Sequence, residues 1–491
     1  MFRHPRPVAA ILALTGLLLA RAAPADAGPA APISPGIASG PASALAPEGT
    51  FAFEHVSVIP MDSERVLRDQ TVVVRDGVIV AMGPAGEVIV PADAIRIDGR
   101  DRFLMPGLAE MHAHVPPVSA TTWEWPSRET LADYMFLYVA NGVTTIRGML
   151  GAPYQLAFRE ELERGEVTGP TFYVGAPSIN GTSAPTPERA DSMIRIHEAM
   201  GYDLQKIHPG VSMATWDRMV QAASEVGLTF GGHVPADVGL ERALATGMST
   251  VDHLDGYVVA AASAEVRGRM AAGESIPLGD VVASVTPERI RELARATAEA
   301  GAWNIPTMYL WENLYGVPDA EAVLSQPEMR YVSPQQRESW RNQARNRPAT
   351  TADQAEAHNE LRRRILAALA DEGAGLLMGT DSPQMFNVPG FALHREIAVM
   401  AAAGLTNFQV LESGTRNVAR YAAEELGRDG NFGTVAVGNR ADLVLLDANP
   451  LNDLANLALR AGVMVKGRWM SGDEIREGLA RLARKHGSAM D

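Results

Sequence analysis

The sequence predicts an α/β protein, a (β/α)8 TIM barrel with a small β-sandwich domain formed by the N- and C-terminal segments. Three observations lead to this prediction. The middle of the chain alternates eight short apolar runs with helical stretches. Two groups of strand-like runs flank it, and neither group is large enough to be stable alone. Ionisable residues also recur directly after several of the eight runs.

Length and composition limit the class of protein. The chain has 491 residues, which is too long for one ordinary core, so we expect two to three structural units. Its formal net charge is −15 and it has no basic stripe, which argues against nucleic acid as a partner. It contains no cysteine, so disulfides, thiolate nucleophiles and Cys-type zinc sites are excluded.

The N-terminal 27 residues are predicted to be a signal peptide. A basic stretch at residues 3–6 precedes an apolar run at 8–20, and Ala-Asp-Ala at 25–27 fits a cleavage site. The run is short for a bilayer span, and an uncleaved membrane anchor is the alternative. Residues 28–50 are rich in Pro, Ala, Gly and Ser, which predicts a flexible linker. We therefore expect an exported, periplasmic protein that has no membrane contact after cleavage.

The two flanking segments, 51–104 and 431–475, are predicted to form the β-sandwich. Asp76-Gly77 is expected to form a hairpin turn in the first segment. A tail helix is expected over 476–491. The predicted strands are residues 51–59, 71–74, 78–82, 94–97, 433–437, 442–446 and 463–466.

The barrel domain is predicted over residues 105–430. Thr286-Pro287-Glu288 is a typical helix start, with a capping residue followed by proline. Residues 310–370, after the seventh strand, are polar and helix-prone, and are either a lid over the barrel mouth or a solvated helical excursion. The eight predicted strands are residues 104–111, 143–146, 171–174, 204–207, 228–230, 249–251, 303–306 and 375–378.

The candidate metal ligands begin with His112-Ala113-His114. Alternate residues of a strand point the same way, so both imidazoles can reach one ion. With 11 His in 491 residues, such a pair is expected by chance about a quarter of the time, so the pair alone is weak evidence for a metal site. Its position after the first predicted strand strengthens the prediction of a metal site. The carboxyl ends of the strands converge in this fold, and further candidates lie at the ends of strands four, five, six and eight. They are Lys206, His233, His253 and Asp381.

Lys206 is an unusual member of this set. An ammonium has no free lone pair for a metal, but the neutral amine can react with carbon dioxide to give a carbamate that bridges two ions. The alternatives are an ordinary salt-bridging lysine or a clamp for a substrate carboxylate. Its position at the end of the fourth predicted strand favours the bridge.

The chain resembles the amidohydrolase superfamily, and within it imidazolonepropionase-related hydrolases and Xaa-Pro or Xaa-Arg dipeptidases. The resemblance runs from about residue 51 to 470. The motifs that carry it are Met105-Pro106-Gly107-Leu108 through His114, Gly142-Val143-Thr144-Thr145-Ile146-Arg147, Gly232-His233-Val234-Pro235, Gly379-Thr380-Asp381 and Gly438-Asn439-Arg440-Ala441-Asp442-Leu443-Val444. Two departures are Gly148, where relatives often carry an acidic residue, and Ile207-His208-Pro209-Gly210, where several dipeptidases have a longer Gly-rich loop.

The resemblance implies a two-metal site. His112, His114 and Asp381 would hold the first divalent ion, and His233 and His253 the second. Lys206, as N6-carboxylysine, would bridge them. Zinc is the expected metal because the ligand set is rich in histidine, while manganese, cobalt and iron stay open.

The implied reaction is hydrolysis of a C–N amide bond, in a dipeptide or an N-acyl amino acid, by metal-activated water. Asp381 would accept the proton of the water and deliver it to the leaving nitrogen. Alternatives are a mononuclear deaminase or cyclic amide or imide hydrolase, and a non-catalytic exported binding protein. The sequence does not decide whether the protein forms a homo-oligomer. The expected substrate contacts are Asn180, His208, Tyr257 and Tyr309, with Arg147 considered for a substrate carboxylate.

Overall fold

The computed structural model describes residues 49–116, 126–316, 319–347 and 350–487. The predicted signal peptide, nearly all of the predicted linker and the last four residues of the predicted tail helix lie outside these ranges. Within these ranges, no helix combines the length and the apolar character that a membrane span requires.

The structure has one small sheet and a ring of parallel strands. The strands in chain order are β1 Thr50–Val58, β2 Leu67–Arg75, β3 Val78–Pro84, β4 Ile95–Asp98, β5 Phe103–Pro106, β6 Leu108–Ala113, β7 Val143–Gly148, β8 Thr171–Val174, β9 Gln205–Ile207, β10 Phe230–Gly232, β11 Thr250–Asp252, β12 Trp303–Ile305, β13 Gly375–Leu376, β14 Leu443–Leu446, β15 Arg460–Val465 and β16 Arg468–Ser471.

Seventeen α-helices lie in the described part of the chain. They are α1 Arg128–Ala140, α2 Pro153–Glu163, α3 Pro187–Ala199, α4 Met213–Val226, α5 Leu240–Ala245, α6 Tyr257–Ala261, α7 Ala264–Ala271, α8 Leu278–Ala283, α9 Pro287–Glu299, α10 Met308–Trp311, α11 Ala320–Leu324, α12 Pro334–Arg345, α13 Ala352–Asp371, α14 Phe391–Ala402, α15 Asn407–Ser413, α16 Arg416–Glu424 and α17 Gly472–His486.

The two ends of the chain build the small sheet, in agreement with the predicted fold class. Its strand order is β16-β15-β14-β5-β1-β2-β3, and β4 pairs with β1. The sheet has its own apolar core, which includes Phe53, Leu104 and Leu443. The predicted strand at 433–437 is wrong. Gly433 has a φ of +72°, and Val435 makes a single backbone bond, to the carbonyl of Pro60, instead of a ladder.

The eight strands β6 to β13 form the barrel. They appear as a three-stranded sheet, β6-β7-β8, and a five-stranded sheet, β9 to β13. Backbone hydrogen bonds join the two sheets at both seams. At one seam the amide of Met111 donates to Met378 O at 2.8 Å, and at the other the amide of Ala176 donates to Leu204 O at 2.8 Å. All eight predicted barrel strands are present, within a few residues of their predicted bounds.

The first barrel strand differs from its prediction in one respect. The run predicted at 104–111 is two strands, β5 in the small sheet and β6 in the barrel, with Gly107 between them. A Cβ at Gly107 would lie 2.2 Å from Oγ1 of Thr144, so only glycine fits where the chain passes from one domain to the other. The chain therefore enters the barrel directly from the small sheet.

The helices of residues 310–370 belong to two parts of the fold. α13 is the helix that precedes β13 and packs beside α9, as a barrel helix does. The residues before it form an excursion whose apolar side chains share a small core with residues 385–388. Trp340 of this excursion is 1% exposed, and its ring lies 5.9 Å from that of Phe386, which follows β13. The excursion is thus packed on the chain just beyond Asp381, and its role as a lid stays a prediction.

Candidate metal centre

His112 and His114 lie on and just after β6, and both are buried. Their ring centroids are 5.4 Å apart. Nε2 of His114 lies 2.6 Å from Oδ1 of Asp381, and Nε2 of His112 lies 3.5 Å from the same oxygen. The two imidazoles therefore converge on one carboxylate, as the alternation of side chains along a strand requires.

Asp381 is held against the first strand by its own backbone. Its amide donates to the carbonyl of His112 at 2.8 Å, which joins the loop after β13 to β6. Its φ is +64°, a left-handed conformation that non-glycine residues rarely adopt and that surrounding contacts must hold. One donor atom from each of His112, His114 and Asp381 lies within 4.8 Å of the other two.

His253 and His233 lie at the ends of β11 and β10, on the other side of this group. The ring of His253 is 4.4 Å from that of His112 and 4.6 Å from that of His233. Nδ1 of His253 lies 2.9 Å from Oγ1 of Thr307, and Nδ1 of His233 lies 2.6 Å from Oδ2 of Asp255. With both Nδ1 atoms engaged, Nε2 is the atom that each ring offers to a metal ion.

Lys206 lies on β9, is fully buried, and faces Asp252 across the barrel interior. Its Nζ is 3.4 Å from Oδ2 of Asp252. Burial lowers the pKa of Lys206, and the charge of Asp252 opposes that shift. Burial works to raise the pKa of Asp252, but the charges of Lys206 and Arg147 keep it lowered. Asp252 is therefore the buried anion beneath the cluster.

The donor set fits a divalent cation. Nε2 of His253 and Oδ1 of Asp381 are buried and have no hydrogen-bond partner, which is rare for buried polar atoms. A bound cation would satisfy both atoms. Burial, followed by neighbouring positive charge, also lowers the pKa of His112 and His253 well below the usual value. Both rings are therefore neutral, as a metal ligand must be.

A family model described as "Amidohydrolase family" matches residues 103–470. The chain belongs to the amidohydrolase family. Members of this family are typically metal-dependent, which agrees with the cluster of His112, His114 and Asp381. The imidazolonepropionase of Stenotrophomonas maltophilia (strain R551-3) is 34% identical over 110 residues, which cover 21% of this chain and 27% of that protein. The match thus spans about a quarter of that relative's length.

Solved structures share the fold of this amidohydrolase at low sequence identity. The bottromycin amidohydrolase superposes with a TM-score of 0.68 at 23% identity, covering 89% of this chain and 91% of its own. A Xaa-Pro dipeptidase with bound methionine superposes with a TM-score of 0.60 at 18% identity, covering 86% and 100%. Both likenesses extend over the barrel and the small sheet together.

Glu110 supports the centre of this amidohydrolase, although it is not among the predicted site residues. Its carboxyl group accepts hydrogen bonds from the amide of Thr380 at 2.7 Å, from Oγ1 of Thr380 at 2.5 Å and from the amide of His112 at 3.1 Å. Burial raises its pKa to about 8, against the opposing effect of these bonds. Glu110 lies two residues before His112 on the same strand face, and that spacing was the available signal.

The predicted substrate contacts are dispersed. Tyr257 does not lie at the centre, because its ring packs inward from the start of α6. The side chain is 1% exposed, and its hydroxyl bonds to Thr297 Oγ1 at 2.7 Å and Asn304 Oδ1 at 2.9 Å. Oδ1 of Asn180 accepts hydrogen bonds from the amides of residues 182 and 183 in its own loop. Tyr309 is half-buried, and its amide donates to Glu396.

His208 does reach the cluster. It is buried, its ring lies 4.9 Å from that of His233, and its Nδ1 has no hydrogen-bond partner. Burial lowers its pKa well below the usual value, so the ring is neutral. Among the predicted substrate contacts, His208 is the one whose ring lies against a candidate metal ligand.

Arg147 does not face the substrate side. It is fully buried inside the barrel, where its Nε donates to Met111 O at 2.8 Å and its Nη1 to Tyr421 Oη at 2.7 Å. Its Nη2 lies 3.4 Å from Oδ1 of Asp252. The idea that Arg147 binds a substrate carboxylate is therefore wrong, because its guanidinium is used within the core.

Proposed function

We propose that this chain is a two-metal hydrolase that cleaves a C–N amide bond in a small substrate, either a dipeptide or an N-acyl amino acid. One observation carries the proposal. His112, His114 and His253 lie around Asp381 and His233 adjoins His253, and buried donor atoms among them have no partner within the described chain. A single ion leaves the His233 side of this arrangement without a role, and two ions use all of it.

The ligands divide into two sets. His112, His114 and Asp381 would hold one ion, and His233 and His253 the other. Lys206 would bridge them as a carbamate. Its burial and its lowered pKa support this, because only the neutral amine reacts with carbon dioxide. When bound, two divalent ions supply Lewis-acid activation of the attacking water and the scissile carbonyl.

Asp381 is the proposed proton carrier. Its Oδ1 lies 2.6 Å from His114, where the first ion would bind, so the proton would go to the other carboxylate oxygen, Oδ2. The carboxylate would accept the proton of the attacking water and return it to the leaving nitrogen. His208 supplies a neutral imidazole beside His233, where it can donate a hydrogen bond to a substrate oxygen.

The substrate class rests on chemistry and on likeness. The Xaa-Pro dipeptidase and the bottromycin amidohydrolase are both named for acting on amide-type bonds. A cyclic amide is the second candidate, favoured by the segment that resembles imidazolonepropionase. A mononuclear enzyme would need no carbamate bridge, so the count of bound ions separates the two candidates.

The test uses metal-depleted protein reconstituted with Zn²⁺ and bicarbonate. We expect about two ions per chain and hydrolysis of members of a panel of dipeptides and N-acyl amino acids, measured as released amine. One ion per chain with turnover of cyclic amides alone would support the second candidate. Binding of no metal, with no turnover of either panel, would contradict both.

We also infer that the protein is exported, on the basis of residues 1–27. N-terminal sequencing of the mature protein from fractionated cells tests this. Cleavage near residue 27 and recovery in the periplasmic fraction are expected, and an intact N-terminus in the cytosol would contradict it.

A further inference from the structure

His253 depends on the end of β12 for its position. Its amide donates to Ile305 O at 2.7 Å, and its Nδ1 lies 2.9 Å from Oγ1 of Thr307. His253 and Thr307 both have a left-handed backbone, with φ of +63° and +45°. Such conformations cost free energy in non-glycine residues and persist only where neighbouring groups hold them. The turn at residues 306–309, which contains Thr307, therefore determines where the imidazole of His253 points.

Arg362 of α13 holds the carbonyl groups of this region. Its Nη2 donates to His253 O and, at 3.2 Å, to Pro306 O. Its guanidinium lies 4.2 Å from the ring centroid of Trp311, and the residue is 2% exposed. Burial lowers its pKa to about 9, and the charges of Asp255 and Glu396 oppose that shift. A buried cation is costly, and the two backbone carbonyls are the hydrogen-bond acceptors that its Nη2 contacts.

Glu396 of α14 holds the amide groups of the same turn. It is fully buried, and its Oε1 and Oε2 accept hydrogen bonds from the amides of Met308 at 2.8 Å and Tyr309 at 2.7 Å. A guanidinium thus binds the carbonyls of the turn and a carboxyl group binds its amides. We call Arg362 and Glu396 the clamp.

We propose that the clamp positions the second metal ion, by fixing the turn at 306–309 and through it the imidazole of His253. This inference rests on the proposed two-metal function. Neither side chain bonds to His112, His114 or Asp381. Loss of the clamp should therefore lower the affinity for the second ion and leave the affinity for the first ion unchanged.

The test measures Zn²⁺ binding to the full chain, in the presence of bicarbonate, by chelator competition and by elemental analysis after gel filtration. The variants are Arg362→Met, Arg362→Lys and Glu396→Gln. Arg395→Met is the matched control, because Arg395 neighbours Glu396 in sequence but pairs with Glu328 at 2.8 Å. Wild type and Arg395→Met should bind two ions. The clamp variants should keep the affinity of the first ion and lose roughly 10- to 100-fold in that of the second.

The outcomes separate this inference from the function on which it rests. If wild type binds fewer than two ions, the proposed two-metal function fails. If wild type binds two and the folded clamp variants do so with unchanged affinity, the clamp inference fails. An equal loss of affinity for both ions also overturns the clamp inference, since that result reports general destabilisation. If Arg362→Met does not fold, the other two variants decide the test. Arg362→Lys keeps the charge of the side chain, and Glu396→Gln keeps its shape.

Discussion

Oδ2 of Asp252 lies 3.4 Å from Nζ of Lys206, and both side chains are fully buried. The same oxygen is 2.9 Å from Nδ1 of His112, although at an angle poor for a hydrogen bond. Oδ1 of Asp252 is 3.4 Å from Nη2 of Arg147. One carboxylate therefore compensates two buried cations and contacts a candidate ligand, which links the stability of the barrel interior to the metal centre.

Asp252→Asn should destabilise the metal-free protein. It keeps the shape of the side chain but leaves Lys206 and Arg147 without their anion, a loss of roughly 3–5 kcal/mol in the free energy of unfolding for buried charges. Urea denaturation measures it. Asp69→Asn is the control, because the pair of Asp69 with His55 is exposed and should change stability little. Equal stability of the two variants would show that Asp252 carries no such compensation.

Lys206→Met should remove the bridge between the ions. We expect turnover to fall by several orders of magnitude and about one ion per chain to remain, because a thioether chain cannot form a carbamate. Intact-protein mass analysis under native conditions should show one added carbon dioxide in wild type and none in the variant. An active, fully loaded wild type with unmodified lysine would refute the carbamate.

Asp381→Asn should lower kcat by roughly 10²–10⁴-fold while the fold is retained, because the amide cannot carry the proton to the leaving nitrogen. The amide can still place an oxygen near His114, so structural damage should be small. Thermal denaturation serves as the control. Turnover close to that of wild type would remove Asp381 as the proton carrier.

Glu396 should make stability fall as the pH rises from about 5 to 8. Burial raises its pKa from the usual 4.5 to about 7, while Glu312 adds to the shift and Arg362 opposes it. Between these values the folded chain holds a proton that the unfolded chain releases, so the free energy of unfolding decreases with pH. Tm measured at both pH values should fall more in wild type than in Glu396→Gln. An identical fall in both proteins would contradict the assignment.

His208 and Tyr257 should behave differently when substituted. His208→Ala should raise KM or lower kcat with little loss of stability, because the ring lies against His233. Tyr257→Phe should leave KM unchanged but reduce stability by roughly 1–3 kcal/mol, since Thr297 and Asn304 lose a buried partner. Steady-state kinetics and urea denaturation of both variants provide the comparison. A raised KM in Tyr257→Phe would contradict its placement in the core.

The barrel was predictable because its strands are short apolar runs at regular spacing, and this pattern is local. The passage from β5 to β6 was not, because residues 104–111 are apolar except for Glu110, and the close contact of Gly107 with Thr144 that separates the two strands is not visible in the sequence. The run at 433–437 was also misleading. Its alternation suits a strand, but Gly433 turns the chain away from the sheet.

The positions of the candidate ligands were predictable for the same reason, since each follows a barrel strand. Asp252 was missed because an acidic residue inside an apolar strand gives no sign of which charge it meets across the barrel, whereas the spacing of Glu110 to His112 was a signal that was overlooked. Tyr257 was misassigned because its placement depends on how α6 begins. Proximity in sequence to His253 does not tell whether a ring points to the barrel mouth or into the core.

The pairing of β5 with β14 has a consequence for how the chain folds. Pro106 lies opposite Leu443, so one edge of β5 has no partner until almost the whole polypeptide has been synthesised. Until then, the first strands present an open apolar edge, which is a site for aggregation. Contacts between such distant parts of a chain also form slowly. Truncations that stop before β14 should therefore accumulate as insoluble protein, even though the eight barrel strands are complete.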